Sequence, residues 1–157
     1  MNLFGMMGAS GEAMQAERVR AEVVAANMAN AETTRTAAGG PYHRQHVVFA
    51  ADSGDTKFLD SMSSASPSRL SFGSAGSVAV APGVHIAGVV EDPSPPLRRY
   101  DPGHPDAGPD GYVEYPDINP ITEMVDLMGA TRAYGLNSSA VQAEKGMIGS
   151  ALEIAKS

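Results

Sequence analysis

The sequence predicts a mainly α-helical protein with a small β-rich middle, in which long N- and C-terminal helices pair as a coiled-coil-like domain. Both ends of the 157-residue chain are rich in helix-favouring residues and carry apolar side chains seven residues apart, whereas glycine, proline and serine interrupt the middle. We therefore expect a terminal helical assembly domain made of residues 1–36 with 117–157, and a β- and loop-rich middle segment of residues 37–116.

The N-terminal helix is predicted from Leu3 to about Ala31. This stretch has no proline, its last glycine is Gly11, and alanine, methionine, glutamate, arginine and valine dominate it. Its apolar seam repeats every seven residues, with one further residue on the adjoining position: Met7, Met14, Ala21, Met28 and Val24. A helix of this length measures about 44 Å, which is too long for the core of a small domain.

The C-terminal helix is predicted to start near residue 119. Asn119 can cap it, Pro120 suits the first helical position, and Glu123 places negative charge in the first turn, where the helix dipole favours it. A second seven-residue seam follows, with supporting residues beside it: Leu127, Tyr134, Val141, Ile148 and Ala155, flanked by Ala130, Ala151 and Leu152. Four internal glycines weaken this helix by up to about 1 kcal/mol each.

The middle segment is predicted to contain short strands separated by breaks and loops. Gly39, Gly40 and Pro41 interrupt the chain, and residues 52–77 contain nine serines, which predicts a flexible loop. Extended runs are expected at Tyr42–Ala50, Val78–Val80, Val84–Val90 and Gly111–Tyr115, with a turn at Pro82 and Gly83. Six prolines between Pro93 and Pro109 predict a rigid extended tract with turns.

Composition excludes several classes of function. The net charge of −7 argues against a nucleic-acid partner, and the absence of cysteine removes disulfides, thiolate metal sites and cysteine nucleophiles. No run approaches the roughly 18 apolar residues of a membrane-spanning helix, so we expect no direct membrane insertion. The N-terminus lacks the basic region of a secretory signal, because its first cation is Arg18. If the protein leaves the cytoplasm, we therefore expect it to use a route that reads something other than a cleaved signal peptide.

Few residues suggest chemistry, and we predict no catalytic, cofactor-binding or metal site. His43 and His46 have no evident third ligand, and His104 lies among prolines and aspartates that favour a turn. A small soluble hydrolase or metal-binding domain in the middle segment is the alternative of a different class. Asn27 and Asn30 are poor helix-interior residues, for which we expect hydrogen bonds between helices or a capping role at the helix end.

Several motifs resemble those of one protein family. The run Val24–Thr34 (VAANMANAETT) is similar to a signature near the N-terminus of flagellar rod and hook proteins, and Glu123–Tyr134 is similar to their shared C-terminal helix motif. Three further segments together resemble the flagellar basal-body proximal rod proteins of the FlgC family: Gly40–Gln45 (GPYHRQ), Asp92–Ala107 (DPSPPLRRYDPGHPDA) and Gly111–Pro116 (GYVEYP). The residues that carry the resemblance are Asn27, Asn30, Thr33, Pro41, Tyr42, Arg44, Asp101, Pro102, His104, Pro105, Gly111, Tyr112, Glu123, Met124, Arg132 and Tyr134.

The resemblance implies a structural subunit of the bacterial flagellum, located in the basal-body rod that spans the periplasm, and not an enzyme. It implies type III export by the flagellar apparatus, and assembly with copies of itself and with other rod proteins into the tubular shaft needed for motility. We expect the packing between subunits to use the two seams, through Met7, Met14, Ala21, Val24, Met28, Leu127, Tyr134, Val141, Ile148 and Leu152.

Overall fold

The chain has one long helix near each end and short strands between them. A computed structural model describes residues 3–51 and 83–156. The helices are α1 (Leu3–Ala29) and α2 (Pro120–Lys156). The strands between them are β1 (Gln45–Ala51), β2 (Val84–Glu91), β3 (Leu97–Tyr100) and β4 (Tyr112–Tyr115). The predicted fold class is therefore confirmed, whereas the predictions for residues 52–77, Val78–Val80 and Pro82 lie outside the described residues.

The two helices pack against each other in antiparallel directions. Asn27 near the end of α1 bonds to Glu123 in the first turn of α2, and Arg20, two turns earlier in α1, lies beside Asp126. The predicted cap of α2 is present, because the side-chain Oδ1 of Asn119 accepts a hydrogen bond of 3.0 Å from the amide of Ile121. Among the described helices, none is both long and apolar enough to cross a membrane.

The apolar core within the described part of the chain is thin and made of small or medium side chains. Its buried residues are Ala16, Val24, Val113, Ile118 and Ala130. Alanine on both helices lets the two backbones approach closely, but it contributes little apolar area, and hydrophobic stabilisation scales with the area buried. The helix pair therefore depends on polar contacts and on length more than on a large interior.

The strands form two separate two-stranded antiparallel sheets. β1 pairs with β2 from Gln45 opposite Glu91 to Ala51 opposite Val84, with an irregularity between Val48 and Phe49. β3 pairs with β4, and Leu97 lies opposite Tyr115. The sequence did not predict β3, which lies inside the proline-rich tract. Prolines flank this four-residue strand without entering it, so its amide groups remain able to bond to β4.

The segment between β3 and β4 forms the predicted turn, in which the side chain of His104 bonds to backbone. The amide of His104 donates to the carbonyl of Asp101 at 3.3 Å, and the amide of Asp106 donates to Nδ1 of His104 at 3.1 Å. Asp106 also connects this turn to the segment after α1, because its Oδ2 accepts a hydrogen bond of 2.8 Å from the Thr34 hydroxyl. Two segments of the family resemblance thus meet in space.

Glycine is required at one position of this hairpin. Gly111 has a φ of +75°, and a Cβ added there would lie 2.8 Å from Cε2 of Tyr100.

We expect Gly111→Ala to destabilise the protein by more than about 1 kcal/mol, because both backbone strain and a clash arise. Gly129→Ala in α2 meets open space and is expected to stabilise the protein by up to about 1 kcal/mol. Thermal unfolding of the two variants, followed by circular dichroism, measures these opposite signs; equal effects would contradict the assignment.

The open end of the β1–β2 hairpin is held by an ionised Asp92. Hydrogen bonds from the Ser94 hydroxyl and amide, together with His46, lower the pKa of Asp92 from 3.8 to about 2. A depressed carboxyl pKa stabilises the folded state above the unfolded value of 3.8, and this contribution is lost as the pH falls through about 2.

Removing the Ser94 hydroxyl is expected to move the pKa of Asp92 back towards 3.8. Ser94→Ala deletes the first of its causes, so the carboxyl carbon of Asp92 should titrate at a higher pH in a carbon-detected NMR experiment. Ser138→Ala, a change within α2, serves as the control that leaves the titration unchanged. An identical Asp92 titration in Ser94→Ala would show that these hydrogen bonds do not set it.

Candidate functional site

Four polar side chains meet where α1, α2 and the start of β1 converge. They are Asn27, Tyr42, Arg44 and Glu123, which we call the polar cluster. Asn27 and Glu123 are each only 1% exposed, although both are polar. A buried polar group costs free energy unless it is hydrogen-bonded, so the bonds within the cluster decide whether it stabilises the fold.

Asn27 uses both donors and both acceptor positions of its amide. Its Nδ2 donates to the Gln45 carbonyl at 2.9 Å and to Oε2 of Glu123 at 3.1 Å. Its Oδ1 accepts from the Gln45 amide at 2.9 Å and from the Tyr42 hydroxyl at 3.0 Å. One side chain of α1 therefore binds to α2, to the backbone of β1 and to the segment before β1.

Glu123 is a buried carboxylate whose charge is balanced by Arg44. The Nε of Arg44 donates to Oε1 of Glu123 at 2.7 Å, a distance typical of a charge-assisted hydrogen bond, and Nη2 of Arg44 also contacts this oxygen. Arg44 is also 3.9 Å from Asp126, which contacts Arg20 at 3.5 Å, so weaker ion pairs surround the buried one. Glu123 lies in the first turn of α2, as predicted. Nothing in the sequence indicated that it would pair with Arg44.

Tyr42 is placed to remain a hydrogen-bond donor. Burial is the main cause that raises the pKa of its hydroxyl above 10, and the negative charges of Glu91 and Glu123 raise it further. The protonated hydroxyl donates to Asn27, and the Tyr42 amide donates to the Thr33 carbonyl at 3.1 Å. The segment that leads from α1 to β1 is thus fixed at both of its ends.

The expected roles of the two motif asparagines both occur. Asn27 bonds across to α2, which is the predicted hydrogen bond between helices. Asn30 lies at the end of α1, where its Nδ2 donates to the Ala26 carbonyl at 2.9 Å and its Oδ1 accepts from the Thr33 hydroxyl at 3.2 Å. The prediction that these residues bond helices together or finish the helix end is confirmed.

α2 presents a second apolar face to solvent. Four large apolar side chains at helical spacing are between 55% and 75% exposed, and we call them the outer patch: Ile121, Met124, Val125 and Met128. They lie opposite the side of α2 that packs on α1, which includes the buried Ala130. Contiguous exposed apolar surface of this kind marks an interaction site more often than a monomer surface.

The residues expected to pack between subunits are mostly half-buried within the chain. Val24 is buried, and the others are half-buried except for Tyr134 and Leu152, which are 44% and 58% exposed. Their role between subunits stays a prediction. Three outer-patch residues were not singled out from the sequence, although their spacing of three and four residues is itself a helical signal: Ile121, Val125 and Met128.

The other residues of the resemblance lie in two places. Pro41 is buried beside the polar cluster, and Asp101, Pro102, His104, Pro105, Gly111 and Tyr112 form the β3–β4 hairpin and its turn. Met124, Arg132 and Tyr134 are exposed on α2. In the described part of the chain, no group of three or more histidine, aspartate or glutamate side chains is arranged to hold a metal ion.

Breaking the Arg44–Glu123 pair is expected to cost much of the stability. Arg44→Met keeps the aliphatic stem but leaves Glu123 charged and buried, which typically costs about 3–5 kcal/mol. Arg18→Met removes an exposed ion pair with Glu22 and is expected to change the free energy of unfolding by less than about 1 kcal/mol. Urea unfolding of both variants measures the difference, and a similar midpoint for the two would contradict the role of the buried pair.

Comparison with known proteins identifies the family. Residues 7–35 match a family model described as flagella basal body rod protein, and residues 110–154 match one described as flagellar basal body rod FlgEFG protein C-terminal. The chain is 37% identical to the flagellar basal-body rod protein FlgC of Borreliella burgdorferi, over 98% of both chains. It is 39% identical to FlgC of Bacillus subtilis, over 99% of this chain and 100% of that one, and 31% identical to FlgC of Salmonella typhimurium, over 94% of both. The chain therefore belongs to the FlgC family of flagellar basal-body rod proteins.

Proposed function

We propose that this chain is a structural subunit of the flagellar basal-body rod, and that it polymerises through its terminal helices into a tubular drive shaft that transmits torque. The observation that carries the proposal is the outer patch of α2. A helix in a monomer normally has one apolar face, which packs on the core, and a polar face in water. α2 packs one apolar side on α1 and exposes another, which suits a helix that lies between its own partner and a neighbouring subunit.

The polar cluster supports a mechanical role for the middle segment. A shaft transmits torque only if the parts of each subunit do not move independently. Asn27 and Arg44 connect the start of β1 to both helices through short, buried hydrogen bonds. We propose that residues 1–36 with 117–157 act as the assembly domain and that residues 37–116 contact neighbouring subunits and stiffen the shaft.

The partners follow from membership of a rod family. We propose that the chain contacts copies of itself and other rod proteins, and that the flagellar type III apparatus exports it without a cleaved signal peptide. Its family consists of structural rod proteins, so we propose no enzymatic activity for it. Its net charge of −7 disfavours nucleic acid as a partner.

A charge in the outer patch is expected to block incorporation into the rod. Val125→Asp places a carboxylate where the proposal requires a dry apolar contact, and burying an unpaired charge costs several kcal/mol. In a strain that lacks its own copy of the gene, this variant should abolish swimming and be absent from purified basal bodies by immunoblotting. The monomer should keep its unfolding temperature, because Val125 is 62% exposed.

The control for this experiment is Val125→Leu. This change keeps an apolar side chain at the same place in the outer patch and adds no charge. Swimming and basal-body content should then resemble those of the unmodified protein. Normal incorporation of Val125→Asp would exclude the outer patch as an assembly surface.

A further inference from the structure

The sulfur atoms of this chain are all in methionine. The full chain has nine methionines and no cysteine, so thioethers are its oxidisable sulfur groups. In the described part of the chain, the methionines of α1 are half-buried: Met6, Met7, Met14 and Met28. The methionines of α2 are more than half exposed: Met124, Met128 and Met147. Accessible sulfur in the described residues is therefore concentrated on α2.

Two of these methionines are neighbours within the outer patch. Met124 is 55% exposed and Met128 is 59% exposed, and a spacing of four residues places them one turn apart on the same side of α2. Met147 is similarly exposed but lies about five turns further along the helix. Because Met124 and Met128 supply two of the four side chains of the outer patch, a chemical change to both alters half of this surface.

Hydrogen peroxide converts a thioether to a sulfoxide in a balanced two-electron step. A lone pair of the sulfur attacks one peroxide oxygen, the O–O bond breaks as the S–O bond forms, and the leaving hydroxide takes the remaining proton to become water. The sulfur is oxidised, the peroxide is reduced, and no other reactant is needed. The product is a polar side chain with a hydrogen-bond acceptor in place of a flexible apolar one. In a dry apolar contact this acceptor has no donor, so its burial is unfavourable.

We propose that Met124 and Met128 form an oxidation-sensitive site, and that their conversion to sulfoxides by a peroxide prevents a free subunit from assembling. This inference rests on the proposed function, because it takes the outer patch as a surface that a neighbouring subunit covers. The site is open to oxidant in the free chain and covered after assembly, so it acts before incorporation. Methionine sulfoxide reductases restore the thioether, which makes the change reversible.

The first measurement compares the oxidation rates of individual methionines. The purified full chain is treated with hydrogen peroxide, the reaction is stopped with catalase, and peptide mass spectrometry measures the sulfoxide at each position. Met124 and Met128 should oxidise several-fold faster than the half-buried Met14 and Met28. The difference should disappear in concentrated urea, where all four are exposed. Equal rates in the folded chain, or a difference that persists in urea, would overturn the proposal.

Paired substitutions test the consequence for assembly. Glutamine has nearly the length of methionine sulfoxide and carries a polar oxygen, so Met124→Gln with Met128→Gln imitates the oxidised site. In a strain that lacks its own copy of the gene, the content of this glutamine pair in purified basal bodies should fall at least tenfold. The unfolding temperature of the monomer should stay unchanged, because both positions are exposed. Met124→Leu with Met128→Leu is the matched control, which stays apolar under peroxide and should be incorporated normally.

A competition experiment tests oxidation itself. The unmodified chain and the leucine pair are expressed together in one cell, and mass spectrometry measures their ratio in basal bodies. A sublethal dose of hydrogen peroxide during rod synthesis should shift this ratio several-fold towards the leucine pair. Damage to other rod proteins affects both chains equally and leaves the ratio unchanged. A ratio that does not respond to peroxide would overturn the proposal.

The outcomes separate this site from the proposed function. Normal incorporation of the glutamine pair, while Val125→Asp is excluded, would show that the oxidation-sensitive site is wrong and that the rod function stands. Normal incorporation of both variants would overturn both. Loss of the leucine pair would also overturn the site, because incorporation would then depend on the shape of methionine and not on its oxidation.

Discussion

The buried carboxylate of Glu123 is the constraint on which the arrangement of the chain depends. A charge with 1% exposure is tolerated only where donors surround it, and its donors come from two separate segments, Arg44 before β1 and Asn27 on α1. These contacts span 79 and 96 residues of sequence. The first turn of α2 therefore reaches its native environment only when α1 has paired with it and the chain after α1 has turned back. One ionised group thus makes helix pairing and placement of the β-rich middle a single cooperative event.

These polar contacts accompany a small apolar interior between the two helices. Alanine at positions 16 and 130 brings the helices together, while larger apolar side chains such as Ile121 and Leu152 remain in water. Glu144, only 3% exposed, has an Oε2 without a hydrogen-bond partner in the described part of the chain, which weakens the seam near the start of α1. A chain stabilised in this way gains most when neighbours cover its exposed apolar surface. The small apolar interior and the exposed apolar side chains therefore both suit a chain that belongs to a rod family.

Periodicity and caps predicted the helices well because both are local properties of the chain. The bounds of α1 and α2 fall within two residues of the expected ones, and Asn119 caps as its type suggests. The partner of Arg44 had no local signal, since a charge pair across 79 residues depends on tertiary placement. The prolines around β3 gave no indication of a strand. They restrict the backbone of the residues that precede them, but they leave room for a strand of four residues between them. The spacing of Ile121, Val125 and Met128 is also a helical signal. The prediction of packing residues used the longer seven-residue seam, which lies on the opposite face of α2.

The charges of α2 serve the stability of the helix and its packing. Glu123 in the first turn and Lys156 in the last are each favoured by the helix dipole. At the N-terminal end Arg44 balances Glu123 and Arg20 lies beside Asp126, so the acidic groups there hold α1, α2 and the start of β1 together. What α2 offers a neighbouring subunit is therefore its exposed apolar side chains, such as Ile121 and Val125, and not a difference in net charge between its two ends.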